Sequence, residues 1–480
     1  MKPTAKIIVI SAFLAFCSTS LANELLVPSQ YPTIQSAIDA AVDGDAVIVA
    51  PGTYTGSGNR DIDFLGKAIT VRSTAPNDPN IVAATIIDCD GSEAEPHRGF
   101  CFYSGEDANS VLSGLTITNG HMSSGGGGGI CVSGSPTITK CFITGNSAFL
   151  GGGISGSDGV IRDCIISNNT AGEGGGLFLC AQVINCTITG NTASIGGGLS
   201  VCDIISDCVI SKNSADHGGG VSYFEGAMSN CLVSGNSASY GGGFWLAFPR
   251  AISNCTIVGN SARHEGGAVC KCYNSALSNC IIWENIADVN SQLSSSMNPS
   301  YCCIQGWSGG GVGNIDSDPC FVVLGYWNDN GTPEEPNDVF WVDGDYHLKS
   351  QGWRWDSARG RWDYDDITSR CIDAGNPGSP LGDELLSVPD DPDNIWGQNL
   401  RIDMGAYGGT AEASMSPYDW AMLGDLTNDG LVDLKDYAFQ AADWLNSADQ
   451  QPGDLNRDGL IDIDDLALLV EDWLGQTTWH

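Results

Sequence analysis

The chain has 480 residues and a formal net charge of −37. That balance argues against nucleic acid and anionic membrane surfaces as partners and favours cations, calcium first. Hydrophobic residues make up 42% despite 63 glycines, which describes a turn-rich folded protein and excludes a disordered one.

The N-terminus reads as a signal peptide over 1–22. Lys2 and Lys6 form its basic region, 7–16 its apolar run, and Ser20-Leu21-Ala22 a small-x-small cleavage site. Cys17 follows Phe16, a neighbour too large for a lipoprotein signal. No later apolar run approaches the length of a membrane span. The mature protein is therefore expected to be secreted or held at the cell surface, with 18 of the 19 cysteines in a setting that permits disulfides.

Residues 23–60 predict a short amphipathic helix over about 33–41, a strand at 46–50 and a turn at 51–54. The clearest strands of 61–140 are 68–72, 85–88 and 112–118. Between them, 89–101 carries Glu93, Glu95, His97 and Arg98, and reads as an exposed loop more readily than as a site.

From Cys141 one phrase repeats, returning at Cys164, Cys186, Cys208, Cys231, Cys255 and Cys280. With Cys as position zero, +2 is Ile or Val, −3 is apolar, +5 is Asn, +7 is Ala, and a Gly-rich turn follows. Alternation from 0 to +3 means strand. The odd spacing between −3 and 0 demands a bend between two inward-facing segments. A unit this short cannot bury its own apolar face, so successive units must stack. Glycines in every unit exclude a helical solenoid. The fold expected is mainly β: a right-handed parallel β-helix with like residues in columns and an N-terminal capping helix. The column Asn146, Asn169, Asn191, Asn213, Asn236, Asn260 and Asn285 suits a turn whose amides bond backbone and the Asn of the next rung. The repeat cysteines read as small buried hydrophobes. Cys180 and Cys202 are the best disulfide candidates.

The solenoid is expected to span 23–410, with regular repeats over 138–293 and irregular terminal rungs over 300–410. Trp327, Trp341, Trp353, Trp355 and Trp362 lie in its insertions. They read first as a cover for the last rung, and second as platforms for sugar rings.

A linker at 411–423 leads to the strongest motif, a small α-helical calcium module of the EF-hand type over 424–475. Asp425, Thr427, Asp429, Leu431, Asp433 and Asp436 recur 29 residues later as Asp454, Asn456, Asp458, Leu460, Asp462 and Asp465. Loop positions 1, 3, 5, 9 and 12 supply oxygen-bearing side chains. Position 7, Leu431 or Leu460, supplies a backbone carbonyl, and position 6 is Gly for the sharp turn. Two Ca²⁺ ions are expected, with helices over 437–445 and 466–474.

Four resemblances follow. The phrase Asn-Ser-Ala-x-x-Gly-Gly-Gly-Ile resembles the repeats of secreted bacterial β-helix proteins, including the polymorphic outer-membrane type and the wider pectate-lyase-like superfamily. Residues 33–54 resemble the opening of many pectate-lyase-like β-helices, which implies that the helix caps the solenoid. Segments 314–322, 344–348, 371–380 and 401–409 resemble the terminal rungs of such proteins. The duplicated loop-and-helix unit resembles dockerin domains, which implies a cohesin partner on a scaffold or surface. It departs from them at loop positions 10 and 11, where Leu434-Lys435 and Ile463-Asp464 replace a Ser-Thr pair. A docking role and a self-contained, calcium-stabilised end module both stay open.

The function expected is attachment to polysaccharide or a surface scaffold. The alternative is a polysaccharide lyase or glycoside hydrolase on the same scaffold. Catalysis needs acids, or acids with a basic residue, on adjacent rungs. The scattered candidates are Asp163, Asp207, Asp216, His217, Glu225, Arg263, His264 and Glu265, and no catalytic residue is assigned.

Overall fold

A computed structural model describes residues 22–246, 250–272, 276–293, 297–329, 340–386, 397–447 and 450–479. The expected signal peptide lies outside the described residues except for Ala22. The chain winds into a parallel β-solenoid of about 12 turns. Among the described residues its three sheets have 19, 11 and 7 strands.

The repeat builds each turn as its spacing requires. The residue before each repeat cysteine (Lys140, Asp163, Asn185, Asp207, Asn230, Asn254, Asn279) has φ between 49° and 56°. That left-handed residue is the bend, and it lets −3 and 0 both face inward. The cysteines and the +2 residues are buried in one continuous core running the length of the stack. Cys180 and Cys202 are free thiols, so the expected bridge between them is not formed; both are buried core residues.

The asparagine column forms an amide ladder. Asn146 Nδ2 donates to Asn169 Oδ1 at 3.0 Å, and the bond repeats through Asn191, Asn213, Asn236, Asn260 and Asn285 at 2.9–3.0 Å. Each Oδ1 also accepts the backbone N–H of the previous Asn, and each Nδ2 also reaches a backbone carbonyl. The ladder ends at Gln292, whose Oε1 accepts from Asn285 Nδ2 at 2.8 Å. The glycines that follow are required by close stacking. A Cβ on Gly152 would stand 2.5 Å from the carbonyl oxygens of Gly175 and Thr170.

Helix α1 (Ile34–Ala40) closes the open end. It is capped by Thr33 and buries Ile34, Ala37 and Ile38. Without such a cap the first rung would expose its apolar interior and its strand edge. Several expected boundaries differ. Residues 51–54 are not a bare turn, because Gly52–Tyr54 begins the second sheet. Residues 112–118 are two strands, Val111–Ser113 and Thr116–Thr118, separated at Gly114 with φ +68°. A further short helix, α2 (Pro79–Ala84), is started by Asp78 and Pro79.

The last parallel strand of the second sheet is Cys303–Ile304, bridged once more to Ile315. The segments expected as terminal rungs at 344–348, 371–380 and 401–409 are therefore not rungs. Asp345–Leu348 pairs antiparallel with Phe321–Val323. The other two fold back along the outside of the second sheet. There Asn376 N–H donates to Asn279 Oδ1, Gly405 N–H to the Asn279 carbonyl, and Ala406 N–H to Thr256 Oγ1. This tail builds a second core against Val258, Ile281 and Cys303 of the sheet's outer face. Trp341 lies over the turns at Gly235 and Gly259, where a Cβ would meet its ring at 2.1 and 2.0 Å. Trp327 Nε1 donates to the Gly259 carbonyl at 2.9 Å. These two rings cover the solenoid as expected, but along its side and not over its last rung. The expected linker is also packed: Ser416 Oγ donates to Asp373 at 2.5 Å, and Met415 is fully buried.

Helices α3 (Leu434–Ala442) and α4 (Ile463–Glu471) begin three residues before the expected starts. Loop position 9 is the reason. Asp433 and Asp462 act as N-caps, and Asp436 and Asp465 complete capping boxes.

Two predictions follow. Asn191→Leu strands its ladder partners, among them Asn169 Nδ2 and the Asn169 N–H, and should cost at least about 3 kcal/mol in denaturant unfolding; an unchanged midpoint would contradict the ladder's role. Burial pushes the Asp373 carboxyl up to about 6 and Glu384 up to about 8. Folded pKa values above the unfolded ones mean that the native state binds more protons in between. Stability contributed by these groups is therefore full below about pH 4 and lost as pH rises toward 8. Melting temperatures between pH 4.5 and 8 check this, and Glu384→Gln should flatten the decline.

Candidate functional site

The interior repeats, but the outer face does not, and one stretch of it gathers aromatic side chains. The third sheet ends each rung at position +9. In register, Leu150, Glu173, Ile195, His217 and Tyr240 stand side by side. In the next rung an irregularity pairs Tyr240 with Glu265 and sets His264 beside it. The His217 and Tyr240 rings stack with centroids 5.5 Å apart and 10° between planes, and Tyr240 and His264 are 4.9 Å apart. Across the glycine turn the first sheet begins, and Ser222 and Trp245 are neighbours there. The Trp245 ring lies 4.5 Å from His217 and 5.2 Å from Tyr223. Five rings thus line a corner over three successive rungs. Trp245 is nearly covered, with its Nε1–H unpartnered, while Tyr240, His217 and Tyr223 are half-buried and His264 is exposed.

Beyond Tyr223 the chain turns through Glu225. Asp203, Ile204, Glu225, Gly226, Ala227 and Arg250 line a groove of about 720 Å³ there. Backbone bonds from Ala227 N–H to the Asp203 carbonyl and from Arg250 N–H to the Gly226 carbonyl, both 2.8 Å, hold the three rungs together. Two acids and a guanidinium on adjacent rungs are the arrangement that catalysis on this scaffold would need.

A second cleft, about 300 Å³, opens where the tail crosses the rod, lined by Asp207, Leu232, Tyr407 and Glu412 among others. Behind it His347, almost fully buried, has Nδ1 2.6 Å from Asp345 and Nε2 3.1 Å from Glu412, and its ring stacks on Tyr407 at 3.8 Å. Burial raises the Asp345 pKa, but bonds and charge from His347 outweigh it and leave it below the ordinary value.

Of the other scattered candidates, Asp163 is a bend residue accepting from Asn185 Nδ2 at 2.7 Å. Asp216 and Arg263 are exposed. Glu265 accepts from Asn290 Nδ2 at 3.2 Å. In the 89–101 loop, His97 Nδ1 lies 2.6 Å from Asp61, and with Arg60 they line a small pocket. The sequence offers His217 and His264 only as scattered candidates and does not mark Tyr240 between them. Position +9 of the repeat, followed from rung to rung like the Asn column, carries all three rings.

In the terminal module both loops close identically. Asp425 accepts from the N–H of Asp429 and Gly430, and Asp454 from those of Asp458 and Gly459, at 2.9–3.1 Å. Asp436 accepts from Thr427 and Asp433, and Asp465 from Asn456 and Asp462, at 2.8–3.0 Å. Asp429 and Asp458 bond the N–H of Leu431 and Leu460. Gly430 and Gly459, at φ +87° and +90°, make the turns. Asp425, Asp436, Asp454 and Asp465 are almost fully buried, and among the described residues no ion pair reaches them. Burial pushes Asp425 up to about 6. Buried, unpaired carboxylates of this kind are what a hard cation would relieve. Among the described residues, no three acidic, His or Cys side chains are already gathered as around an ion. Instead the Lys435 ammonium bonds Asp429.

The family described as right handed beta helix region matches residues 83–203. The fold is thus a right-handed parallel β-helix. No curated protein matches the chain. Among solved structures it is similar to pectate lyase Pel9A, with 14% identity, 81% of this chain and 96% of that one covered, and a TM-score of 0.47. It is also similar to an alginate lyase from Paenibacillus sp. str. FPU-7, with 13% identity, 57% and 99% covered, and a TM-score of 0.34. A third is the PL6 family alginate lyase AlyGC, with 14% identity, 66% and 56% covered, and a TM-score of 0.32.

Proposed function

We propose that this is an exported rod that holds an extended, uncharged polysaccharide along its aromatic corner and is attached through a calcium-ordered terminal module. The carrying observation is the ring ladder His217–Tyr240–His264 facing Trp245 and Tyr223. Aromatic faces repeated at rung spacing, with polar ring edges, suit the apolar faces and hydroxyls of successive sugars. A net charge of −37 would repel an acidic glycan.

In the module, Asp425, Thr427, Asp429, Asp433 and Asp436, with the Leu431 carbonyl, would hold one Ca²⁺. Asp454, Asn456, Asp458, Asp462 and Asp465, with the Leu460 carbonyl, would hold the second. The helices and the turns that end them expose apolar residues at matching places: Leu434 and Ile463, Trp444 and Trp473, Leu445 and Leu474. Such a duplicated patch supports a docking role toward a cohesin-like partner.

A second reading rests on the groove of Asp203, Glu225 and Arg250. In a polysaccharide lyase Arg250 would hold a substrate carboxylate, one ionised carboxylate of the groove would take the proton beside it, and the other, in its acid form, would protonate the glycosidic oxygen as its C–O bond breaks.

Full-length protein should be retained on insoluble neutral glucan and release no unsaturated or reducing ends. Tyr240→Ala should weaken binding about tenfold, ~1.4 kcal/mol, without lowering the melting temperature. Products that vanish in Glu225→Gln would favour the enzyme instead. Calcium titration by calorimetry should show two ions per chain and Asp436→Ala one; no heat in the wild-type chain would end the calcium reading.

A further inference from the structure

The two faces of the terminal module meet different surroundings. Its helices present apolar residues to solvent, while the outer sides of both loops are bonded to the tail that returns along the rod and, in the first loop, also to Tyr301 and Gly313 of the last rungs. We propose that the loop face is locked onto the rod through its returning tail, so that the loops and this rod end, segment 374–377 with 400–401, order as one unit, and partner docking is left to the helix face alone. The part of this that concerns ions rests on the calcium reading above.

Arg401 is fully buried and lies at the centre of the joint. Its Nη1 donates to the carbonyl of Asp425, loop position 1, at 2.8 Å, and its Nε and Nη2 donate to the Gly375 carbonyl at 3.0 and 2.6 Å. Tyr301, also fully buried, donates to the carbonyl of Leu426, position 2, at 2.8 Å. Position 4 repeats the contact in both loops. Asn428 Nδ2 donates to the carbonyls of Gly313 and Ala374, both at 2.8 Å. Arg457 donates from Nε to Pro377 and from Nη2 to Leu400, at 3.0 and 2.9 Å. From the rod side, Asn376 Nδ2 donates to the Gln450 carbonyl at 2.9 Å. Two loops 29 residues apart thus grip one segment, 374–377, together with 400–401.

These bonds explain residues that an isolated loop would not need. Asn428 and Arg457 have φ of 55° and 59°, costly for an arginine unless its side chain is held. A guanidinium buried at Arg401 is tolerable only while its carbonyl partners stay in place. In the first loop the carbonyls of positions 1 and 2 and the side chain of position 4 face the rod, and in the second the side chain of position 4 does, whereas the carboxylates at 1 and 12 turn inward, where the ion would sit. A loop with its outer side already fixed has little left to order on binding an ion. Linkage then requires that the ion steady the rod end in return.

The test uses the full chain and the double variant Asn428→Ala, Arg457→Ala, with calcium as the probe. The wild-type module and rod end should melt in one transition, and calcium should slow amide exchange at 374–377. In the double variant the transition should split, exchange at 374–377 should quicken, and calcium affinity should fall about tenfold. If the double variant does not fold, Arg457→Ala alone is read in the same way. Exchange at 374–377 that ignores the substitutions, or a wild-type module that melts separately, overturns the joint. Full calcium affinity in the variant overturns the linkage. No calcium heat in the wild-type chain overturns the calcium reading, and exchange in the variant then decides the joint by itself.

Discussion

The amide ladder from Asn146 to Asn285 is the constraint on which the rest of the structure depends. Each buried side chain bonds the next rung by both its amide and its neighbour's backbone, so a slip of one residue in any rung would strand several polar groups at once. Register fixed in this way puts every position of the repeat into a column. Columns turn a one-dimensional pattern into a surface, and the ring ladder of His217, Tyr240 and His264 is one such column read on the outside.

The same logic explains where the regular pattern ends. Outward side chains of the second sheet are half-buried where nothing covers them, as at Thr144, Ser167 and Thr189. They become Val258, Ile281 and Cys303 where the tail lies on them. The tail lies along the side of the rod, fits Trp341 onto two glycines, and carries the buried acids Asp373, Glu384 and Asp403 into the second core. Only glycine leaves room for that indole at 235 and 259.

The coil, its columns and the paired loop-and-helix units of the terminal module were legible because their signals are local and repeated. Period-two alternation, the −3 to 0 spacing and the spacing of Asp425 to Asp436 need no knowledge of distant contacts. The tail was not legible in the same way. The segments 371–380 and 401–409 carry apolar residues that suit a rung equally well, and only long-range bonds to Asn279 and Thr256 decide that they cover the sheet. The helix starts were misplaced because Asp433 and Asp462 act both as loop members and as N-caps. The corner was half legible. His217 and His264 stand out as chemistry, but no local signal marks Tyr240 and Trp245, which only the register sets between and beside the histidines.

The most direct measurement is a crystal structure of the full chain soaked with a soluble, uncharged oligosaccharide. The account predicts sugar rings against His217, Tyr240 and His264, with the chain of sugars running along the rod axis. A corner left empty while sugar occupies the groove at Glu225 or the cleft at Glu412 would contradict it.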